Sequence, residues 1–269
     1  MFLDALILIL QEIIEATLLI SVLLVLGAAL HRLWPNTVQL GMGWLPAAFG
    51  FGLAGALVYG WMMPVTSAWF DYAGYEVLNA LMQTAMIVLL ILCVLMLDPL
   101  RATPRWLGIV KAGMIATVAL GIVREGSEII LYLNGVLGQG INVTPVTLGG
   151  FMAAGIGCSG ALLLYYFLNA LPALWTLRTA LVLLALFTGN MASQAALLLT
   201  QADWLPYTPE AWNSSVLLSE QGIAGQLLYA LIGYEANPSV MQAGVYIAAA
   251  IVVASTPLFR KAWILKVAV

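Results

Sequence analysis

Charge is scarce in this sequence. Of its 269 residues only 8% are Asp, Glu, Lys or Arg, against about 25% in ordinary soluble domains. Nine basic and twelve acidic residues leave a formal charge of −3, too little to hold in water a chain that is 63% apolar. That excludes a soluble globule, a disordered chain and a nucleic-acid binder, which needs a basic surface. Histidine is nearly absent too: one residue, His31, stands beside Arg32. A bis-histidine haem or a Glu-x-x-His di-iron site needs more than that. Only two cysteines occur. Cys93 and Cys158 both lie inside apolar runs and read as small buried hydrophobes, not as a disulfide framework. No Gly-x-x-x-x-Gly-Lys occurs, so direct coupling to ATP is not expected. Asp4 stands where a signal peptide would be cationic, so the first apolar run is expected to be a span.

Apolar sequence is abundant, and it comes in lengths that match a bilayer, where a helix needs about 20 apolar residues. Seven runs qualify, at about 4–30, 42–63, 76–98, 108–134, 146–170, 178–200 and 240–259. Pro35, Pro64, Pro99, Pro104, Pro172, Pro206, Pro209 and Pro238 fall between them as helix punctuation. Arg32, Arg101, Arg105, Lys111, Arg178, Arg260, Lys261 and Lys266 lie in or beside the connections after runs one, three, five and seven. The other connections contain no Lys or Arg. By the positive-inside rule the N-terminus is outside and the C-terminus cytoplasmic. Asp71, Glu76, Asp203, Glu210, Glu220 and Glu235 then face outward. The longest loop, about 201–239, carries Leu217, Leu218, Ala224, Leu227, Leu228, Leu231 and Ile232 at near-helical spacing. That suggests a short helix lying on, or dipping into, the outer interface, and the acids read either as a solvated loop or as a funnel that concentrates cations at a mouth.

Two runs carry charge where lipid disfavours it. The first holds Gln11-Glu12-Ile13-Ile14-Glu15 and the fourth Arg124-Glu125-Gly126-Ser127-Glu128. Each ionisable residue at a helix centre costs about 2.5–3.5 kcal/mol on insertion scales, so such groups normally face a bundle interior or an ion path. Residues three apart share a helix face, so Glu12 with Glu15, and Glu125 with Glu128, each address one point. Arg124 and Glu128 are spaced to pair along the helix. Carboxylate oxygens suit hard cations, and no His or Cys stands nearby to favour a soft one. Four carboxylates against one arginine do not neutralise each other, which argues against mere helix glue. A metal-free proton relay is the other alternative. Both motifs open a three-run unit, and an odd number of spans turns the second unit upside down. The arrangement predicts an all-α polytopic membrane protein of seven transmembrane helices. Repeat one is about 1–106, inverted repeat two about 107–200, then come the external loop and a seventh helix at about 240–259.

At these residues the chain resembles the oxidase-dependent iron permeases, seven-helix membrane proteins marked by Arg-Glu-x-x-Glu in helices one and four. The second motif is matched by Arg124, Glu125 and Glu128, and the first keeps Glu12 and Glu15 but has Gln11 in place of arginine. Glu76 resembles the acidic residue that opens the family's third helix. The resemblance extends over nearly the whole chain, including Ser214-Ser215-Val216-Leu217-Leu218-Ser219-Glu220 and Leu231-Ile232-Gly233-Tyr234. It implies a bacterial inner-membrane permease, not an enzyme, that passes Fe3+ or Fe2+ inward over Glu12, Glu15, Glu125 and Glu128. Arg124, Gln11 and Glu76 would support them. Iron would be substrate, with no resident cofactor, and the partner would be a periplasmic iron-binding or cupredoxin- or oxidase-like protein. A permease for another divalent cation, and an intramembrane metal-dependent enzyme, are the alternatives.

Other residues read as structural. Gly50, Gly52, Gly55 and Gly60, and Gly149, Gly150, Gly155, Gly157 and Gly160, are expected to let helices approach closely. Met82 and Met86 share a face and read as core filler. Asn190, Ser193 and Gln194 make the sixth run polar enough to line a path or to bond between helices. The tryptophans, from Trp34 and Trp44 to Trp212 and Trp263, read as interfacial anchors.

Overall fold

The computed structural model describes residues 2–97, 103–138, 143–219 and 222–256, and regular structure there is helical apart from one bridge between Glu210 and Ser239. Six helices are long and apolar enough to cross a membrane. They are α1 (Phe2–Leu33), α2 (Leu45–Thr66), α4 (Gly74–Met96), α5 (Pro104–Gly138), α6 (Thr144–Ala170) and α7 (Ala173–Gln201). Between α2 and α4 sits a four-residue turn, α3 (Trp69–Tyr72); the long loop contains α8 (Ile223–Ile232), and α9 (Val240–Ser255) follows. At 16 residues α9 is shorter than those six helices, and the rest of the expected seventh run, 257–259, lies outside the described residues.

Local chemistry sets the helix ends. Asp4 in the first turn of α1 and His31 and Arg32 in its last complement the helix dipole. Proline occupies the first turns of α2 and α6, where its missing N–H costs nothing. Ser239 and Gln242 form a reciprocal capping box that starts α9. Gly233, at φ 68°, ends α8 in the left-handed conformation that suits glycine.

Helix α1 packs along α6 and α7, and α5 packs along α2 and α4. Helix α7 is gripped between α4 and α9. The glycine seams make this possible. A Cβ on Gly52 would sit 2.7 Å from Ile122 of α5, and one on Gly149 would sit 2.7 Å from the Phe2 carbonyl of α1. Gly55, Gly60, Gly150 and Gly157 are similarly tight, whereas Gly50, Gly155 and Gly160 face open space and hold no seam. The dense core joins Leu19, Leu23, Leu26 and Leu30 of α1 with Met86 and Leu90 of α4, Met114 and Val118 of α5 and Leu184 of α7. Large apolar side chains such as Phe51, Trp61, Phe151 and Leu163 point outward from α2 and α6, as expected of a surface that meets lipid.

The two ends differ in charge. Arg32 donates to the Asn169 and Leu171 carbonyls and to Thr176, tying the end of α1 to the α6–α7 connection. Arg105, Lys111 and Arg178 belong to the same end. At the opposite end Phe70 meets Trp204 edge-on at 5.6 Å, and Asp71, Glu76, Asp203, Glu210 and Glu235 gather there. Arg101, Glu220, Arg260, Lys261, Lys266, Pro99 and Trp263 lie outside the described residues.

Several expectations need correction. Pro64 does not end the second run; it sits in the last turn of α2, which continues to Thr66. Cys158 is exposed on α6, while Cys93 is buried as expected. Trp44 is 4% exposed and belongs to the core, not to an interfacial belt. For Cys158 and Trp44 the run is apolar on every side, so its pattern does not distinguish a neighbouring helix from lipid. The apolar stretch of the long loop is split: Val216 and Leu217 are exposed, whereas α8 packs against α1 and α7. Leu231 lines one cavity with Ile14 and Leu18 of α1, so α8 reaches the level of Glu15.

Candidate cation site

Helices α1 and α5 place their acids together. Arg124 Nη1 donates to Glu125 Oε1 at 2.6 Å and to Glu15 Oε2 at 3.3 Å, the second across the helix pair. Its Nη2 lies 3.8 Å from Glu128 Oε1. The pairing expected along the helix, Arg124 with Glu128, is therefore the loosest of the three. The carboxyl of Glu12 lies within hydrogen-bond reach of that of Glu125. One guanidinium thus stands among four glutamates contributed by two spans. The side chains of Arg124, Glu15 and Glu125 are 11%, 8% and 7% exposed, and that of Glu128 is 25% exposed, so access is from the Glu128 side. Gln11 is half-buried and bonds to none of the four among the described residues.

Two carboxyl groups in hydrogen-bond contact need a positive species between them, a proton or a cation. Among the described residues Glu125 Oε2 is buried without a donor, and the Nε of Arg124 without an acceptor. These are loose ends of a site whose partners are incompletely supplied by protein. Among the described residues no three acid, His or Cys side chains already converge as a formed metal site. Arg124 stands between the acids, so cation binding there requires it to move away from at least one carboxylate.

The surroundings were only partly anticipated. Tyr75 donates to Glu128 Oε1 at 3.2 Å, and Asn79 donates to the Tyr75 carbonyl and reaches the Tyr59 hydroxyl at 3.4 Å. Tyr59 lies within electrostatic reach of both Glu128 and Glu76. Glu76 opens α4 and is not part of the cluster. It lines a cavity of about 350 Å3 at the acidic end with Asp71, Asp203 and Trp204, and its buried Oε2 has no donor among the described residues. Glu235 likewise stays apart, accepting from Ser193 and Gln242. Of the polar trio in the sixth run, Asn190 and Gln194 bond between helices and Ser193 holds the loop. The tyrosines gave no signal in sequence, because Tyr at a span end usually reads as an interfacial anchor. Met86 is core filler, as expected.

No protein-family model, curated protein or solved structure matches the chain.

Proposed function

We propose that this chain is an iron permease of the oxidase-dependent kind, carrying Fe3+ or Fe2+ across a bacterial inner membrane into the cytoplasm. The observation that carries the reading is the convergence of Glu12, Glu15, Glu125 and Glu128 on one arginine inside an apolar bundle. Counted as ionised groups they leave three negative charges in excess. Such an excess in low dielectric calls for a cation, and all-oxygen ligands suit a hard one. The acidic end, with its 350 Å3 cavity, would face the periplasm and gather the ion. The dense core between the cluster and the basic end then closes the inward side.

The inverted repeats belong to the same proposal. Under an exchange of α1, α2 and α4 with α5, α6 and α7, the α1–α6 contact becomes α5–α2 and the α1–α7 contact becomes α5–α4, and all four are extensive. Gly150 packs on Ile9 and Gly52 on Ile122. Ile9 and Ile122 are separated by the same 113 residues as Glu12 from Glu125 and Glu15 from Glu128. In this reading α9 completes a seven-helix protein with a periplasmic N-terminus and a cytoplasmic C-terminus. A periplasmic iron-binding or cupredoxin-like partner would deliver the ion.

Uptake of labelled iron into proteoliposomes, with and without reductant, tests it. Wild type should accumulate iron, and Glu12→Gln, Glu15→Gln, Glu125→Gln and Glu128→Gln should each cut uptake at least tenfold while still inserting. Wild-type uptake in two of the four would make the carboxylates helix glue. Accumulation of Mn2+ or Zn2+ in preference to iron would favour the permease for another divalent cation.

A further inference from the structure

A second motif is duplicated in the chain. Asn79 and Gln83 of α4 recur, in the same order and spacing, as Asn190 and Gln194 of α7. The copies meet where the helices cross: Gln83 Nε2 donates to Gln194 Oε1 at 2.7 Å, and Gln194 Nε2 donates to Asn190 Oδ1 at 3.2 Å. All four side chains are buried, none more than 3% exposed. Their N–H groups are directed to partners, with Asn79 donating to the Tyr75 carbonyl at 2.9 Å. Two acceptors remain. Asn79 Oδ1 and Gln83 Oε1 are buried with no donor among the described residues. Leaving such an oxygen unsatisfied costs about 1–3 kcal/mol. The two residues are four apart on one helix, the spacing at which two side chains of a helix hold a single metal ion.

We propose that Asn79 Oδ1 and Gln83 Oε1, at the crossing of α4 and α7, form a site for a monovalent alkali cation beside the carboxylate cluster. Carboxamide oxygens offer dipoles and no net charge. Neutral oxygens of this kind replace the hydration shell of alkali ions in selectivity filters, and hold coupling ions near substrate in transporters. A small divalent ion sheds water reluctantly and is ordinarily held by carboxylates. Tyr75 links the two sites: its carbonyl holds Asn79 and its hydroxyl holds Glu128. An alkali ion on the amide oxygens therefore bears on the ion held by the acids. The inference goes beyond the proposed transport activity and does not depend on which ion the acids carry.

Labelled-sodium binding and melting temperature decide it, measured on the full chain in nanodiscs against choline chloride. The same titrations with KCl and MnCl2 are run on wild type and on a Glu12→Gln/Glu125→Gln double variant. Saturable sodium or potassium binding should persist in the double variant, which separates this site from the acids. Gln83→Leu and Asn79→Leu should each weaken it at least tenfold, about 1.4 kcal/mol. Should either leucine variant fail to fold, Gln83→Met or Asn79→Ala gives the same reading. Absence of saturable alkali binding, unchanged binding in both amide variants, or preference for Mn2+ in the double variant overturns the proposal.

Discussion

Arg124 reaches three carboxylates through two nitrogens, and its strongest contacts are to its neighbour Glu125 and, across the helices, to Glu15. Removing one member of a buried ion pair typically costs about 3–5 kcal/mol, because a charge is left without compensation. Arg124→Gln should therefore lower unfolding stability by about that amount, read by denaturant or thermal unfolding in detergent. Gln11→Arg should still fold, since Gln11 is only half-buried, but it adds a second guanidinium and should weaken metal binding in a direct titration. Tighter binding by that variant would show that charge balance does not govern position 11. Spacing made the four acids legible in the sequence. Which of them Arg124 prefers was not legible, because that depends on how α1 crosses α5. Backbone conformation was equally hidden: Phe70, Asp71 and Tyr72 all adopt positive φ without being glycine. Tyr72 is 84% exposed, so little packing is at stake there. Tyr72→Gly should raise stability by about 0.5–1 kcal/mol, the left-handed penalty less the extra chain entropy of glycine.

Helix pairing in this protein turns on glycines that the sequence displays without ranking. Gly149 lies so close to α1 that a methyl group would meet the backbone of Phe2 and Leu6, which has no rotamer to change. Gly149→Ala should cost about 1–3 kcal/mol by forcing α1 from α6. Gly155→Ala and Gly160→Ala, with nothing within 4 Å of the added carbon, should be neutral or gain about 0.5–1 kcal/mol of helix propensity. Thermal unfolding of the three variants checks the contrast, and a Gly155→Ala loss as large as that of Gly149→Ala would contradict it. The existence of six long helices was plain from run length, because about 20 apolar residues leave few other solutions. Their inner faces were not plain. Lipid is as apolar as a helix neighbour, so the periodicity that marks a buried face in soluble proteins fades, and Trp44, Cys158 and Gly160 were misplaced for that reason. Helix α8 was legible as a helix, yet its depth against Ile14 and Leu18 comes only from packing.

Alternation of charge between the two ends is a property of the whole chain. Every described basic residue except Arg124 belongs to one end, and the described acids outside the cluster gather at the other. Reporter fusions after about residue 36 and 175 should therefore report cytoplasm, and those near 70 and 210 the opposite side. A fusion at 70 reporting the same side as one at 36 would break the antiparallel relation between α1 and α5. This layout could be read from the basic residues alone, since loop charge and bundle geometry answer to the same membrane. The meeting of α4 with α7 through two duplicated amides was not read, although the Asn-x-x-x-Gln pattern stands openly in both runs. Amides carry no charge, and in a list of spans they read as ordinary hydrogen-bonding residues.

Glu15 and the arginine that holds it are 109 residues apart in the chain. At about 5–20 residues per second of synthesis, α1 waits roughly 5–20 seconds for its cation to be made. During that interval the two acids of α1 have no cation from α5 to pair with, and each carries an insertion cost of about 2.5–3.5 kcal/mol. The packing partner of α1, α6, emerges later still. The N-terminal half is thus an obligate client of the C-terminal half. A chain truncated before Arg124 should be cleared by membrane proteases, whereas one truncated after α6 should persist.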